Sequence, residues 1–277
     1  MSVQTDIIDG TGIAELWLRD IAVQVQALGV PLHLAAVCGG DDGGLKSFVR
    51  IKQRAAEKCG IRFSSYFIDA DKEPQAEETL QWLATDAGVH GIFVELPLPP
   101  TWSTASMLSV IPAAKDVDCI SPEAERSYYA DETAIMPPAV AALERVLAVR
   151  GITPEGVSAA VIGQGKLVGK PLTHWLRANG ARVSVIDIDT PGPAAISRDA
   201  GLVIAGAGVP GLVTADWVNT EATVVDFGYA RKGDAYAGDV DAESVRGKVR
   251  ALTPVPGGMG PLVVAATLQN LLTLAMK

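Results

Sequence analysis

Apolar residues recur at helical spacing from Ile13 to Leu28, and the stretch that follows, His33–Val37, apolar after its histidine, reads as a strand. The alternation repeats. A helix-period stretch spans Leu45 to Cys59 and stops at Gly60, a strand covers Arg62–Ile68, a helix lies near Glu77–Ala87, and a second apolar strand covers Gly91–Leu96. After Pro112 the pattern is irregular until a helix over about Ala139–Val149. A second series then begins with a strand over Ser158–Gly163, a glycine-rich turn and a helix over Lys170–Ala178. It continues with strands over Arg182–Asp187, Gly201–Gly208, Ala222–Gly228 and Arg250–Val255, and ends in a helix from Pro261 to Met276. Alternating strand and helix predict parallel sheets covered on both faces, so the expected class is α/β in two domains that meet near Pro137 and Pro138.

One residue interrupts this pattern. In GIFVELPLPP, Gly91 to Pro100, Glu95 stands in an otherwise apolar strand. A lone buried carboxylate costs several kcal/mol, so Glu95 must face water, carry a proton or meet a cation. In the helix LKSFVRIKQRAAEKCG, Phe48 and Lys52 are four apart and share a face with Leu45, Ile51 and Ala55. Lys52 either snorkels from that apolar stripe or is the partner Glu95 needs, and spacing alone leaves both open.

The segment AAVIGQGKLVGKP places Gly163, Gly165 and Gly169, with Gln164 and Lys166 between them, between a strand and a helix. Glycines there let a backbone approach a pyrophosphate whose charge the helix N-terminus favours. A tight turn in any α/β protein would use the same residues. Asp187 follows Gly163 by 24 residues, near where an acid would hold an adenosine ribose and repel a 2′-phosphate. If a dinucleotide binds, NAD is favoured over NADP; alternatively, Asp187 and Asp189 are only solvated at a strand end.

Composition narrows the partners. The 277 residues are 48% hydrophobic, ample for two cores, and a formal net charge of −9 argues against nucleic acid or an anionic membrane as the main partner. The start has no basic segment leading into an apolar core, and no long uncharged apolar run occurs, so a cytoplasmic protein is expected. Cys38, Cys59 and Cys119 are widely spaced without CxxC and suggest neither a disulfide framework nor a metal site. His33, His90 and His174 are scattered and read as structural.

The stretches IIDG, SFVRIK, GIFVELPLP, KDVD, VIGQGKLVGKP, GVPGLVTADWV, ATVVDFG, GDVD and TPVPGGMGPLVVA together resemble the methylenetetrahydrofolate dehydrogenase/cyclohydrolase family over nearly the whole chain. The resemblance implies an N-terminal α/β substrate domain, residues 1–138 plus 262–277, and a Rossmann-like dinucleotide domain, residues 139–261, with a cleft between them. It also implies a homodimer acting on a small molecule, a tetrahydrofolate derivative (5,10-methylenetetrahydrofolate), with NAD or NADP as cofactor. By the same resemblance Lys52 is the central catalytic group with Glu95 beside it, and Asp118 holds the pterin ring. Leu96, Pro97, Pro256, Gly257, Gly258 and Pro261 are expected to border the substrate, while Gly163 to Gly169, Asp187 and Gly208 are expected at the cofactor.

This chain departs from the family pattern at several of these positions. Phe48 stands for Tyr, Glu95 for Gln, Cys119 for Gly, Gly165 for Ser, and Pro137, Pro138, Ala139 and Val140 for Pro-Cys-Thr-Pro. Basic or polar residues usual after the second Rossmann strand are replaced around Asp187. Phe48 offers no hydrogen bond to a water near the folate carbon, and Glu95 favours the lysine ammonium. The expected activity is therefore that of the family with its cyclohydrolase part reduced or lost. The alternatives are transfer of the methylene group to an amine acceptor without redox, Glu95 acting as base, and a folate or nucleotide sensor without catalysis.

Overall fold

The computed structural model describes residues 4–40, 43–232 and 235–277. The chain opens with β1 (Asp6–Ile7), α1 (Gly10–Leu28), β2 (His33–Gly39), α2 (Gly43–Lys58), β3 (Arg62–Ile68), α3 (Glu73–Thr85) and β4 (Gly91–Glu95). Two short helices follow: α4 (Thr104–Ser109), where no element was expected, and α5 (Pro122–Tyr129), inside the stretch after Pro112 expected to be irregular. Next come α6 (Pro138–Val149), β5 (Ser158–Ile162), α7 (Gly169–Ala178), β6 (Arg182–Ile186), α8 (Pro193–Arg198), β7 (Leu202–Ala205) and β8 (Thr223–Asp226). The chain ends with β9 (Ala230–Lys232), β10 (Ala235–Ala237), α9 (Ala242–Val245), β11 (Ala251–Leu252) and α10 (Met259–Ala275).

Contacts divide the chain into two compact units. The N-terminal unit is Glu15–Pro138 with Val264–Lys277, and the C-terminal unit is Ala139–Val263 with the residues up to Ala14. Residues 4–14, grouped by sequence with the N-terminal domain, fall with the C-terminal unit because β1 pairs in parallel with β11: Asp6 opposite Ala251 and Ile7 opposite Leu252.

In the N-terminal unit the sheet is parallel, in the order β3-β2-β4. The central strand β2 is buried along nearly its whole length, which accounts for its unbroken apolar sequence. Ala35, Val37, Ile92 and Val94 pack with Leu80, Leu83, Met107 and Ile111 into the core. Helix α2 ends in a Schellman arrangement: Gly60 has φ of +75°, its N–H donates to the Glu57 carbonyl, and the Ile61 N–H donates to that of Ala56. This stop sets the length of the helix that carries Lys52.

The C-terminal unit holds a six-stranded parallel sheet in the order β1-β11-β8-β7-β5-β6. The chain leaves β5 for β6 on one side and returns to β7 on the other, so the loops after β5 and β7 are neighbours at the strands' carboxyl ends. Such a reversal is where open α/β sheets place ligands. Among the described residues, no helix is long and apolar enough to cross a membrane.

Candidate functional site

Side chains two apart on a strand share a face, so Phe93 and Glu95 of β4 project together. Lys52 of α2 reaches that face: its Nζ donates to Glu95 Oε2 at 2.8 Å and lies 4.1 Å from the centre of the Phe93 ring. Glu95 stands opposite Cys38 of β2 in the sheet register. The two charged side chains retain only 16% and 12% of their exposure, so water screens them weakly. Burial opposes the Lys52 ammonium, but Glu95, with smaller help from Asp118, outweighs it and raises the lysine pKa. The Cys38 thiol is pushed up to about 12 by burial and then by the Glu95 charge, so it is a neutral wall of the site. Phe48, one turn before Lys52 on α2, is half-buried.

Asp118 is presented by a turn that a second acid organises. Asp116, fully buried, accepts the backbone N–H groups of Asp118 (3.2 Å), Ile120 (2.8 Å) and Ser121 (2.6 Å). Asp118 Oδ1 accepts the Thr267 hydroxyl of α10 at 3.1 Å. Burial raises the Asp118 carboxyl to about 6, with Asp116 and Glu95 adding and Lys52 and Thr267 opposing. The sequence pattern alone does not mark Phe93, Cys38, Asp116 or Thr267 as functional. Asp116 was legible in principle, as a second acid in KDVD.

The turn also holds backbone strain. Cys119 is buried with φ of +58°, a conformation suited to glycine, and its Sγ lies 3.5 Å from the Ala124 carbonyl. Cys119→Val is expected to destabilise by about 3 kcal/mol, since β-branching adds bulk and deepens the strain. Cys119→Gly should stay within about 1 kcal/mol of the parent, relief of strain offsetting lost packing. Denaturant unfolding of both variants checks this; equal losses would mean that the thiol matters rather than the backbone.

Leu96 packs half-buried against the N-terminal core, and Pro97 is exposed after a cis Leu96–Pro97 bond. Pro256, Gly257, Gly258 and Pro261 belong to the C-terminal unit. Gly257 has φ of +94° and its carbonyl accepts the Thr11 N–H at 3.0 Å; Gly258 is buried, and Pro261 lies in the first turn of α10.

In the C-terminal unit the glycine turn is built by close approach. A β-carbon on Gly163, which has φ of +90°, would collide with the Gly206 carbonyl, and one on Gly169 with the Gly163 carbonyl. One on Gly165 would have nothing within 4 Å, so this middle glycine leaves the turn open to a ligand's phosphates. Gln164 donates to the Gly163 carbonyl at 2.9 Å and to Thr173 Oγ1 at 3.3 Å, and Lys166 is exposed. These residues fit a dinucleotide's pyrophosphate. Asp187 is exposed at the end of β6, where its Oδ1 accepts the Thr190 hydroxyl at 2.7 Å and the Asp189 N–H at 3.2 Å. Gly208 has φ of +72° and donates its N–H to Asp239.

Two family models match this chain: tetrahydrofolate dehydrogenase/cyclohydrolase, catalytic domain, over residues 8–118, and the NAD(P)-binding domain of the same family over residues 137–277. A protein named bifunctional protein FolD 2 from Haloarcula marismortui is 35% identical, over 96% of this chain and 94% of its own. The crystal structure of the FolD methylenetetrahydrofolate dehydrogenase/cyclohydrolase from Campylobacter jejuni superposes with a TM-score of 0.93 at 31% identity, covering 98% of this chain and 99% of that one. That of the Trypanosoma brucei FolD, complexed with NADP cofactor and inhibitor, gives 0.94 at 31% identity, covering 98% and 97%.

Proposed function

Because the chain belongs to the tetrahydrofolate dehydrogenase/cyclohydrolase family, we propose that it oxidises 5,10-methylenetetrahydrofolate while its cyclohydrolase activity is reduced. The observation that carries this reading is the 2.8 Å ion pair of Lys52 and Glu95. A lysine that passes protons near neutral pH serves best with a lowered pKa, and Glu95 holds this one as the ammonium. Phe48 adds to the effect because it can position no water. Oxidation asks less of these groups: Lys52 orients and polarises the folate, and Asp118 binds the pterin. The glycine turn at the start of α7 would hold the dinucleotide, which supplies the hydride acceptor when bound. Asp187 carries a negative charge where a 2′-phosphate would lie, which favours NAD. Spectrophotometric assay of methylenetetrahydrofolate with NAD and with NADP, alongside methenyl hydrolysis, tests the proposal; hydrolysis as fast as oxidation would refute it.

Asp118 adds a pH dependence. Its carboxylate form is present above about 6 and lost below, so folate affinity is expected to fall about tenfold from pH 7 to pH 5. Isothermal titration across that range checks it, and an affinity that is flat or rises on acidification would contradict the role.

A second reading, methylene transfer to an amine acceptor with Glu95 as base, draws on one detail. Only Oε2 of Glu95 is engaged; among the described residues Oε1 accepts no hydrogen bond and could take a proton. Product formed from folate and an amine without any dinucleotide would favour it.

A further inference from the structure

The loop after β7 is tethered by an acid that the folate chemistry does not use. Asp239 is fully buried just past β10, and its Oδ2 accepts the backbone N–H groups of Ala207 at 2.6 Å and Gly208 at 2.8 Å. Its Oδ1 is buried too and has no hydrogen-bond partner among the described residues. Burying such a group is costly, so a fold that keeps it gains something from the two bonds on the other oxygen.

The backbone of Asp239 is itself held by a second buried acid. Asp226, at the end of β8, accepts the N–H groups of Gly228 (2.8 Å), Asp239 (3.0 Å) and Val240 (3.0 Å), and its own N–H donates to Thr253 Oγ1 at 2.8 Å. β-Carbons on Gly228 and Gly238 would strike the Asp239 and Asp226 carboxylates respectively, so the chain is closed tightly around both. On the far side, the loop meets the glycine turn. A β-carbon on Gly163 would strike the Gly206 carbonyl, and one on Gly206 the Val168 side chain. Residues 206–208 are thus one wall of the turn, and Asp239 fixes that wall by two consecutive amides. Consecutive N–H groups converging on one anionic oxygen hold a defined backbone shape.

The geometry points to Asp239 as a positioning residue that, through residues 206–208, holds the glycine turn in the shape that receives the dinucleotide. This rests on the C-terminal unit binding a dinucleotide. Direct titrations of NAD and NADP, with tetrahydrofolate as control, test it on the full chain. Asp239→Ala should weaken dinucleotide binding about tenfold, for two lost charge-assisted hydrogen bonds in a loop that can partly re-form, and leave tetrahydrofolate binding unchanged. Asp239→Asn, which keeps an acceptor oxygen for both amides, should recover binding to within about threefold of wild type. A folded Asp239→Ala protein that binds dinucleotide like wild type, or an Asn variant as weak as Ala, would overturn the inference.

Hydrogen exchange on the ligand-free wild type decides the matter even if the Ala variant does not fold. The amides of Ala207 and Gly208 should be protected before any ligand is added, and exchange at solvent rates would overturn the tether. A wild type that binds neither NAD nor NADP would remove the dinucleotide reading and the inference with it, and protected amides would identify that as the failure.

Discussion

Replacing Lys52 with glutamine is expected to lower both oxidation and hydrolysis by about 10³-fold or more, within the combined reach of charge stabilisation and proton transfer. Glutamine keeps a polar head of similar reach but carries no charge and exchanges no proton. The variant also strands Glu95, whose carboxylate would lose its cation at 12% exposure. Breaking a buried pair from one side costs about 3 kcal/mol, so denaturant unfolding should show a less stable but folded protein. Dinucleotide titration serves as the control for folding, since the glycine turn belongs to the other unit. Full turnover in a folded Lys52→Gln protein would remove the lysine from the chemistry.

Glu95→Gln is expected to do the opposite for one activity. Burial is the largest influence on Lys52 and lowers its pKa; the glutamate overcomes it. With a neutral amide in place, the charge that opposes desolvation is that of Asp118, and the lysine pKa falls. Methenyl hydrolysis should rise by about 100-fold, the low end of what a positioned acid–base group contributes. Oxidation should change little, because orientation of the folate survives the substitution. An unchanged or slower hydrolysis in Glu95→Gln would defeat the electrostatic explanation, leaving Phe48 as the remaining cause.

The path from sequence to site was uneven for physical reasons. Strands buried on both faces, such as β2 and β5, carry an unbroken apolar signal and were legible at once. Strand β1, with two exposed residues, has no such signal; it exists because β11 offers a free edge. Helices α4, α5 and α8 are one or two turns long, too short for periodicity to emerge, although Ser103 caps α4 by accepting the Ser106 N–H at 3.2 Å. The anomaly of Glu95 pointed correctly to a missing cation, yet only family resemblance could name Lys52, because 43 residues separate the two. The same signal, an acid at the end of an apolar strand, occurs at Asp226 in VVDFG. Asp239 was harder still: its partners are backbone amides, which leave no mark on side-chain sequence.

The state of the Lys52 side chain can be read directly. Lysine-selective NMR, following the ε-methylene and Nζ resonances against pH in the ligand-free protein, should show Lys52 titrating above an ordinary lysine in the wild type and distinctly lower in Glu95→Gln. A wild-type Lys52 that loses its proton below the ordinary lysine value, or titrates alike in both proteins, would contradict the account.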